Sequence, residues 1–408
     1  MKINTTDLPP ARNAGGLHST TEDFSLVLGG PLYQLLRRAH LSDDALSLQR
    51  RRVIVLALLA WLPLLVLSAA GGRLMTGSTA VPFIMDVEVH VRFLLAMPLL
   101  VYAELVVHQR MRTVAKTFRD RRLVPESAVP QLDAAVSSAF KLRNSVLAET
   151  LLIALVYVVG ITVVWRHYVA LDAATWYATP VAGQSTLTLA GFWYGYISLP
   201  LFQFLLIRWY FRIAIWARLL WQVSRIELHL VPTHPDRVGG LGFLGATVHA
   251  FIPLLVAHGA LLAGQFANQI FHMGARLTEF RLEIFLLVIY LLFLVVGPLL
   301  VFAPQIARTK RTGLREYGTL AQTYVRDFDT KWVRGGAASD EQMLGSADIQ
   351  SLADLGNSFA VVQSMRLVPV SRDGIVQLAV ATLIPILPLL LTLMPLEDLL
   401  KKLVGILF

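Results

Sequence analysis

Apolar runs, each about 20 residues long, recur along the chain and match the length a helix needs to cross a hydrocarbon core of about 30 Å. They cover residues 53–70, 91–108, 146–165, 189–208, 246–271, 282–303 and 375–395. Only 15% of the 408 residues are charged and 55% are hydrophobic, whereas a soluble domain carries about 25% charged residues. We therefore predict an all-α integral membrane protein with six to seven transmembrane helices.

The seventh run differs from the others because it contains Pro385, Pro388 and Pro395. Proline removes a backbone donor and bends or breaks a helix. The run is therefore predicted to be either a kinked span or a re-entrant segment. Residues 396–408 place acids and lysines within an apolar pattern, which is typical of an interfacial helix.

Basic residues predict the orientation, because Lys and Arg are retained in short cytoplasmic loops. With a cytoplasmic N-terminus, most of the 36 Lys and Arg residues lie on the cytoplasmic side. The exceptions are Arg73, Arg92, Arg166, Arg276, Arg281, Lys401 and Lys402. We expect the N-terminus to be cytoplasmic, although Lys401 and Lys402 fit this orientation poorly.

Four regions follow from this pattern. Residues 1–52 form a cytoplasmic segment with an amphipathic helix at 31–38 and a helix capped near Ser42. Residues 53–305 form a bundle of six spans with helical cytoplasmic extensions at 109–145 and 209–245, the third span starting early, near Pro130. Residues 306–374 form a cytoplasmic pair of helices, because apolar residues recur there at helical spacing. Residues 375–408 hold the seventh run and the interfacial helix.

The least generic stretch is the loop at residues 230–245, which holds two prolines and four glycines. Its G-x-G-x-x-G pattern does not follow a strand, which excludes a dinucleotide-binding interpretation. Glycine N–H groups at a helix N-terminus suit an anionic headgroup or phosphate. The candidates for this anion and lipid loop are His234, Asp236, Arg237, Gly239, Gly240 and Gly242. The alternative is a tight turn, capped by Asp236, that lets two helices pack closely.

The same loop, His-Pro-Asp-Arg-x-Gly-Gly-Leu-Gly-Phe-Leu-Gly, resembles a family of uncharacterised bacterial multi-pass membrane proteins. Residues 345–359, Gly-Ser-Ala-Asp-Ile-Gln-Ser-Leu-Ala-Asp-Leu-Gly-Asn-Ser-Phe, and the Pro-Ile-Leu-Pro-Leu-Leu-Leu tail carry the same resemblance. It covers roughly the C-terminal half of the chain. The resemblance implies a location in a bacterial inner membrane and implies no activity.

Several polar residues fall within or beside the predicted spans, where such residues are costly and often functional. Those that could line or gate an ion path are Glu104, Glu149, Arg208, His249, His258, Gln265 and Asn268. For Glu104, Glu149, Arg208 and His249, the alternative is an interfacial ion-pair cluster that holds helices in register. For His258, Gln265 and Asn268, the alternative is interhelical hydrogen bonding.

No catalytic motif, metal-binding pattern or cysteine occurs, so we predict neither a cofactor nor a metal site. The first functional hypothesis is an ion channel or transporter that assembles as a homo-oligomer and is gated by its cytoplasmic helices. The second is a non-transporting sensor or assembly protein that binds a cytoplasmic protein partner. The third is a membrane enzyme acting on a lipid phosphate. The bilayer and its anionic headgroups are expected partners, and nucleic acid is not.

Overall fold

The computed structural model describes residues 24–38, 48–75, 79, 81–165, 175–181, 184–338, 341–343 and 345–393. The predicted helix cap at Ser42 and the predicted interfacial helix at 396–408 lie outside the described residues. So do Pro395, Lys401 and Lys402.

Helices make up most of the described chain. They are α1 (Pro31–Arg38), α2 (Gln49–Ala70), α3 (Val87–Asp120), α4 (Glu126–Arg143), α5 (Val146–Gly160), α6 (Leu189–Val223), α7 (Gly242–Met273), α8 (Leu277–Val333), α9 (Ala347–Gln363) and α10 (Arg372–Thr392). Two short antiparallel strands, β1 (Ala178–Val181) and β2 (Gln184–Leu187), pair with Ala178 opposite Leu187. The sequence patterns did not predict these two strands.

Six of the helices are long and apolar enough to cross a membrane: α2, α3, α6, α7, α8 and α10. The number is up to seven if the bent pair α4 and α5 counts as one span. As far as the structure describes them, all seven apolar runs of the sequence thus fall on helices, which confirms the helical class.

The third predicted span is interrupted rather than continuous with the helix before it. The axis bends by 47° between α4 and α5. Ser145 lies at the break with extended backbone, and its hydroxyl accepts the Ala148 N–H at 3.2 Å. A side chain that caps a helix N-terminus competes with continuation of the preceding helix, which explains the bend.

The prolines of the seventh run also have a local effect. Residues Ile384–Thr392, the second part of α10, form a 3-10 helix that contains Pro385 and Pro388. Each proline removes an i→i−4 donor, and the tighter helix is the result.

Helix α7 lies at the centre of the bundle and α8 lies at its edge. Of the most apolar window of α7, 67% is buried, compared with 17% for α8. Glycines let neighbours approach α7 closely: a Cβ on Gly259 would collide with the Thr382 carbonyl of α10, and one on Gly264 would lie 3.1 Å from the Glu88 Cα. The exposed residues of α8 between Phe285 and Leu300 are all apolar or aromatic, as a lipid-facing surface requires.

Helix α8 spans 57 residues, about 85 Å at 1.5 Å per residue. A hydrocarbon core is about 30 Å thick, so much of α8 must extend beyond it. The chain then folds back as α9, and Asp348 fastens the return: its Oδ2 accepts from Trp332 Nε1 at 2.9 Å and from Lys331 Nζ at 2.9 Å. We call residues 306–363 the hairpin and the side of the bundle that carries it the hairpin end. The end of α8 and the whole of α9 lie within residues 306–374, the segment for which two helices were predicted.

Gly259→Ala is expected to lower the free energy of unfolding in detergent by about 1–3 kcal/mol, the usual cost of overpacking a core. Gly356→Ala is the matched control, because nothing lies within 4 Å of its added Cβ. Alanine in a helix is favoured over glycine by roughly 0.5–1 kcal/mol. Thermal unfolding of both variants measures the difference, and equal melting temperatures would contradict the close contact between α7 and α10.

Candidate functional site

Glu104 of α3 lies at the centre of a buried cluster of charges near the hairpin end. Its carboxylate is 2.5 Å from Arg52 Nη1 and 2.7 Å from Arg212 Nη1, and Arg208 Nη1 lies at 3.7 Å. Arg208 also reaches Glu149 of α5 through Nη2 at 3.2 Å. All five residues are buried. The cluster joins α2, α3, α5 and α6, and holds three guanidinium groups against two carboxylates.

The first residues that the structure describes cover this cluster. Phe24 packs on the Phe140 ring at 5.7 Å between centroids, and its N–H donates to the Arg112 carbonyl at 3.0 Å. The Ser25 hydroxyl lies 2.9 Å from His108 Nδ1. We call residues 24–30 the N-terminal strap; its Gly29 carbonyl accepts from Arg208 Nη2 at 3.5 Å, which places the strap against the ion pairs.

The structure brings together three of the seven residues predicted for an ion path, Glu104, Glu149 and Arg208, in the arrangement of an ion-pair cluster. His249 is not among them. It lies 2.9 Å from the Gln377 side chain of α10, through its Nε2. His249 therefore lies against α10 rather than in the cluster around Glu104.

His258 occupies a different place again. Its Nε2 lies 2.7 Å from the Tyr210 hydroxyl of α6, and its Nδ1 lies 2.7 Å from the Leu254 carbonyl. Tyr210 is two residues from both Arg208 and Arg212, a rotation of about 200° around a helix with 3.6 residues per turn. His258 and Glu104 therefore face opposite sides of α6, and the predicted polar residues do not form one row.

Gln265 and Asn268 line a cavity of about 210 Å³ at the end of the bundle opposite the hairpin. Asp86 and Glu88, at the start of α3, face the same cavity, and so do Gln269 and Tyr194. The Asp86 carboxylate accepts from Asn268 Nδ2 and from Trp176 Nε1, each at 2.8 Å. We call this space the acidic cavity.

Charge gives the acidic cavity its chemical preference. Glu88 pairs with Arg92, and Arg92 also donates to the Tyr194 hydroxyl. The two carboxylates thus outnumber this one guanidinium, and the amide side chains of Gln265 and Gln269 supply further oxygens. Carboxylate and amide oxygens are ligands for hard cations and acceptors for ammonium groups.

The loop at residues 230–245 is a closed turn around one carboxylate. Asp236 accepts the N–H groups of Val238 at 2.9 Å, Gly240 at 3.1 Å and Gly242 at 2.7 Å. His234 Nδ1 lies 2.9 Å from the same carboxylate. Gly239 and Gly240 have positive φ angles of 71° and 103°, which explains why glycine occupies these two positions. Arg237 also has a positive φ, of 59°.

The N–H groups of Gly240 and Gly242, which were predicted as donors to a phosphate, are therefore already used within the loop. This arrangement matches the alternative of a tight turn capped by Asp236. Burial raises the pKa of the Asp236 carboxyl, but the three backbone donors and His234 outweigh burial and hold the pKa below its usual value. The loop also holds the segment that follows the hairpin, because the Arg366 N–H donates to the Arg237 carbonyl at 2.8 Å.

Arg52, Arg212, Asp86 and Glu88 were missed in the sequence. Arg52 directly precedes the first apolar run and Arg212 lies beyond the fourth, so neither counted as a polar residue within a span. A spacing of four residues places Arg208 and Arg212 on one helical face, and this was the available signal. Nothing comparable pointed to Asp86, since its partners Trp176 and Asn268 are distant in sequence.

No protein-family model, curated protein or solved structure matches this chain. Within the part of the chain that the structure describes, no group of three or more His, Cys, Asp or Glu residues could hold a metal ion.

Glu104→Gln is expected to destabilise the protein by about 3–5 kcal/mol, because it leaves buried arginines without their shared counter-ion. The matched control is Asp133→Asn, which removes a pair to Arg119 whose side chains are 37% and 38% exposed. An exposed pair contributes at most about 1 kcal/mol. Denaturant unfolding in detergent measures both, and equal losses would contradict the cluster's role in stability.

Asp236→Asn is expected to lower stability at neutral pH and to have little effect at strongly acidic pH. A carboxyl whose pKa is depressed in the folded state adds stability above its unfolded pKa of about 3.9, and loses it as the pH falls through the lower, folded pKa. Melting temperatures of both proteins between pH 2 and 7 provide the measurement. A difference that stays constant over this range would mean that the carboxylate charge does not stabilise the loop.

Proposed function

We propose that the chain is a transport protein of a bacterial inner membrane, which carries a small cation or protonated amine and binds it in the acidic cavity. Its N-terminus and its hairpin lie in the cytoplasm in this proposal. The distribution of Lys and Arg supports the orientation, and the resemblance of the loop at 230–245 supports the bacterial location.

The acidic cavity is the observation that carries the proposal. A volume of about 210 Å³ equals that of roughly seven water molecules at about 30 Å³ each. This is room for a small hydrated cation or a small amine, but not for a lipid or a peptide. A cavity at the end of the most buried span, with a surplus of carboxylates, is a suitable entry site for such a solute.

In this proposal, the end of the bundle opposite the acidic cavity is closed to the solute. The Glu104 cluster and the N-terminal strap fill the space between α2, α3, α5 and α6 there. Alternating access requires one end to be closed while the other is open. Ion pairs between separate helices can break and re-form as those helices rock, so the cluster would act as the inner gate.

Proteoliposomes containing the purified protein are expected to take up methylammonium or a monovalent metal cation, and Gln265→Leu and Asp86→Asn are expected to lose that uptake. Gln265→Leu removes an oxygen ligand, and Asp86→Asn removes a charge of the cavity. The matched control is Glu279→Gln, an exposed acid at the same end of the bundle. Uptake by wild type that both cavity variants retain would move the binding site elsewhere.

The second candidate function is binding of a cytoplasmic protein partner through the hairpin. Leu320, Val325, Val333, Met343 and Ile349 are between 43% and 68% exposed there. Exposed apolar side chains on an extramembrane helix pair are typical of interaction surfaces. The flux experiment separates the two candidates, because a partner-binding protein gives no uptake of either cation under any gradient.

A further inference from the structure

Two neighbouring cavities open on the side of the bundle between α6 and α8. One, of about 630 Å³, is lined by polar residues that include Arg225, Arg308 and Thr309. The other, of about 650 Å³, is a groove whose walls are mainly apolar, although Arg218 and the tyrosines Tyr210 and Tyr290 also line it. Trp221 and Val301 line both, so the two cavities form one continuous surface.

The polar cavity has a built floor and a positive wall. Gln305 Nε2 donates to the carbonyls of Ser224 and Ile226, each at 2.7 Å, and so joins the end of α6 to α8. Arg225 lies over the Trp221 ring at 5.0 Å, which holds its guanidinium beside the cavity. Arg308 faces it from α8, and Glu227 is the single acid in the lining.

The apolar groove has the dimensions of one leaflet. It extends along α6 from Trp221 to Tyr210, and eleven residues of helix rise about 16 Å. Half of a hydrocarbon core of about 30 Å is close to this distance. Ala214, Ala217 and Gly297 keep the groove open, because larger side chains would fill it.

We propose that this surface binds an anionic glycerophospholipid, with the headgroup phosphate between Arg225 and Arg308 and one acyl chain in the groove. Guanidinium groups bind phosphate through paired hydrogen bonds. The charge of the polar cavity selects the anion, and the length and apolar walls of the groove select an acyl chain. The site is separate from the acidic cavity and does not depend on the transport proposal.

The experiment uses the full chain, purified in detergent or in nanodiscs, with native mass spectrometry to count bound dioleoyl phosphatidylglycerol. Arg225→Gln and Arg308→Gln are each expected to weaken its retention about fivefold, and the double variant about 30-fold, at roughly one charge contact per arginine. Arg315→Gln is the matched control, an exposed arginine of α8 outside both cavities. Its retention is expected to equal that of wild type.

A second pair of measurements tests the groove by itself. Ala217→Trp fills the groove, so it is expected to weaken the retention of the dioleoyl lipid but to leave that of dihexanoyl phosphatidylglycerol nearly unchanged. In the wild type, a dioleoyl phosphatidylglycerol with brominated chains is expected to quench Trp221, and Trp221→Phe is expected to remove that part of the quenching.

Three outcomes would overturn the proposal. One is retention of dioleoyl phosphatidylglycerol by the double arginine variant at the wild-type level. Another is equal retention of phosphatidylcholine, which would mean that the surface is an unselective lipid contact. The third is displacement of the lipid by millimolar inorganic phosphate in the wild type, since a free anion would then account for the polar cavity without the groove.

Discussion

The pairing of Glu104 with arginines is the interaction on which the arrangement of the helices depends. Removing a charged group from water costs several kcal/mol even after relaxation, and only close partners offset that cost. The partners of Glu104 come from α2 and α6, and Arg208 passes the connection on to Glu149 of α5. A shift of any of these helices by one turn would leave a buried charge unpaired. The cluster therefore fixes their register, which apolar contacts alone specify weakly because lipid competes with them.

Helix α6 distributes three different environments around its axis. Arg208 and Arg212 face the ion pairs, whereas Tyr210 faces His258 and the groove towards α8. Trp209 lies between these directions, and its Nε1 donates to the Leu100 carbonyl at 2.9 Å. Because these residues are consecutive or nearly so, a single helix separates the sealed cluster from the lateral groove. This geometry also explains why polar residues at similar membrane depth do not form one path.

The sequence was sufficient to predict the all-α class and the positions of the long helices, because a run of about 20 apolar residues has few possible structures other than a membrane-spanning helix. The hairpin followed from helical spacing, and the cap at Asp236 was among the alternatives considered. The break at Ser145 was not foreseen, because a serine between two helical patterns is compatible with either continuation or capping. Only part of the acidic cavity could be predicted from the sequence. Gln265 and Asn268 are polar residues within an apolar run and were therefore candidates. Asp86 and Glu88 lie between two apolar runs, where the sequence does not indicate which residues they contact. Tertiary partners, unlike spans, leave no periodic trace in one sequence.

The prediction of an anion site shows the same limit of sequence-based inference, because here the predicted interaction was of the correct kind but its partner was not. The sequence pointed to the loop at 230–245, where glycine N–H groups precede a helix, and the chemistry was correct in kind: those donors do hold a carboxylate. The anion is the Asp236 carboxylate of the same loop. Because it belongs to the same chain, its effective concentration is high and it loses no translational entropy on binding, so an external phosphate competes poorly. Arg225, just after α6, and Arg308, within α8, form no ion pair in the described part of the chain, and Glu227 is the one acid in the lining that they share. A site for an external anion is therefore indicated by surplus positive charge beside an apolar groove. A glycine pattern does not indicate one, because the N–H groups of such a turn can bind a carboxylate of the same loop.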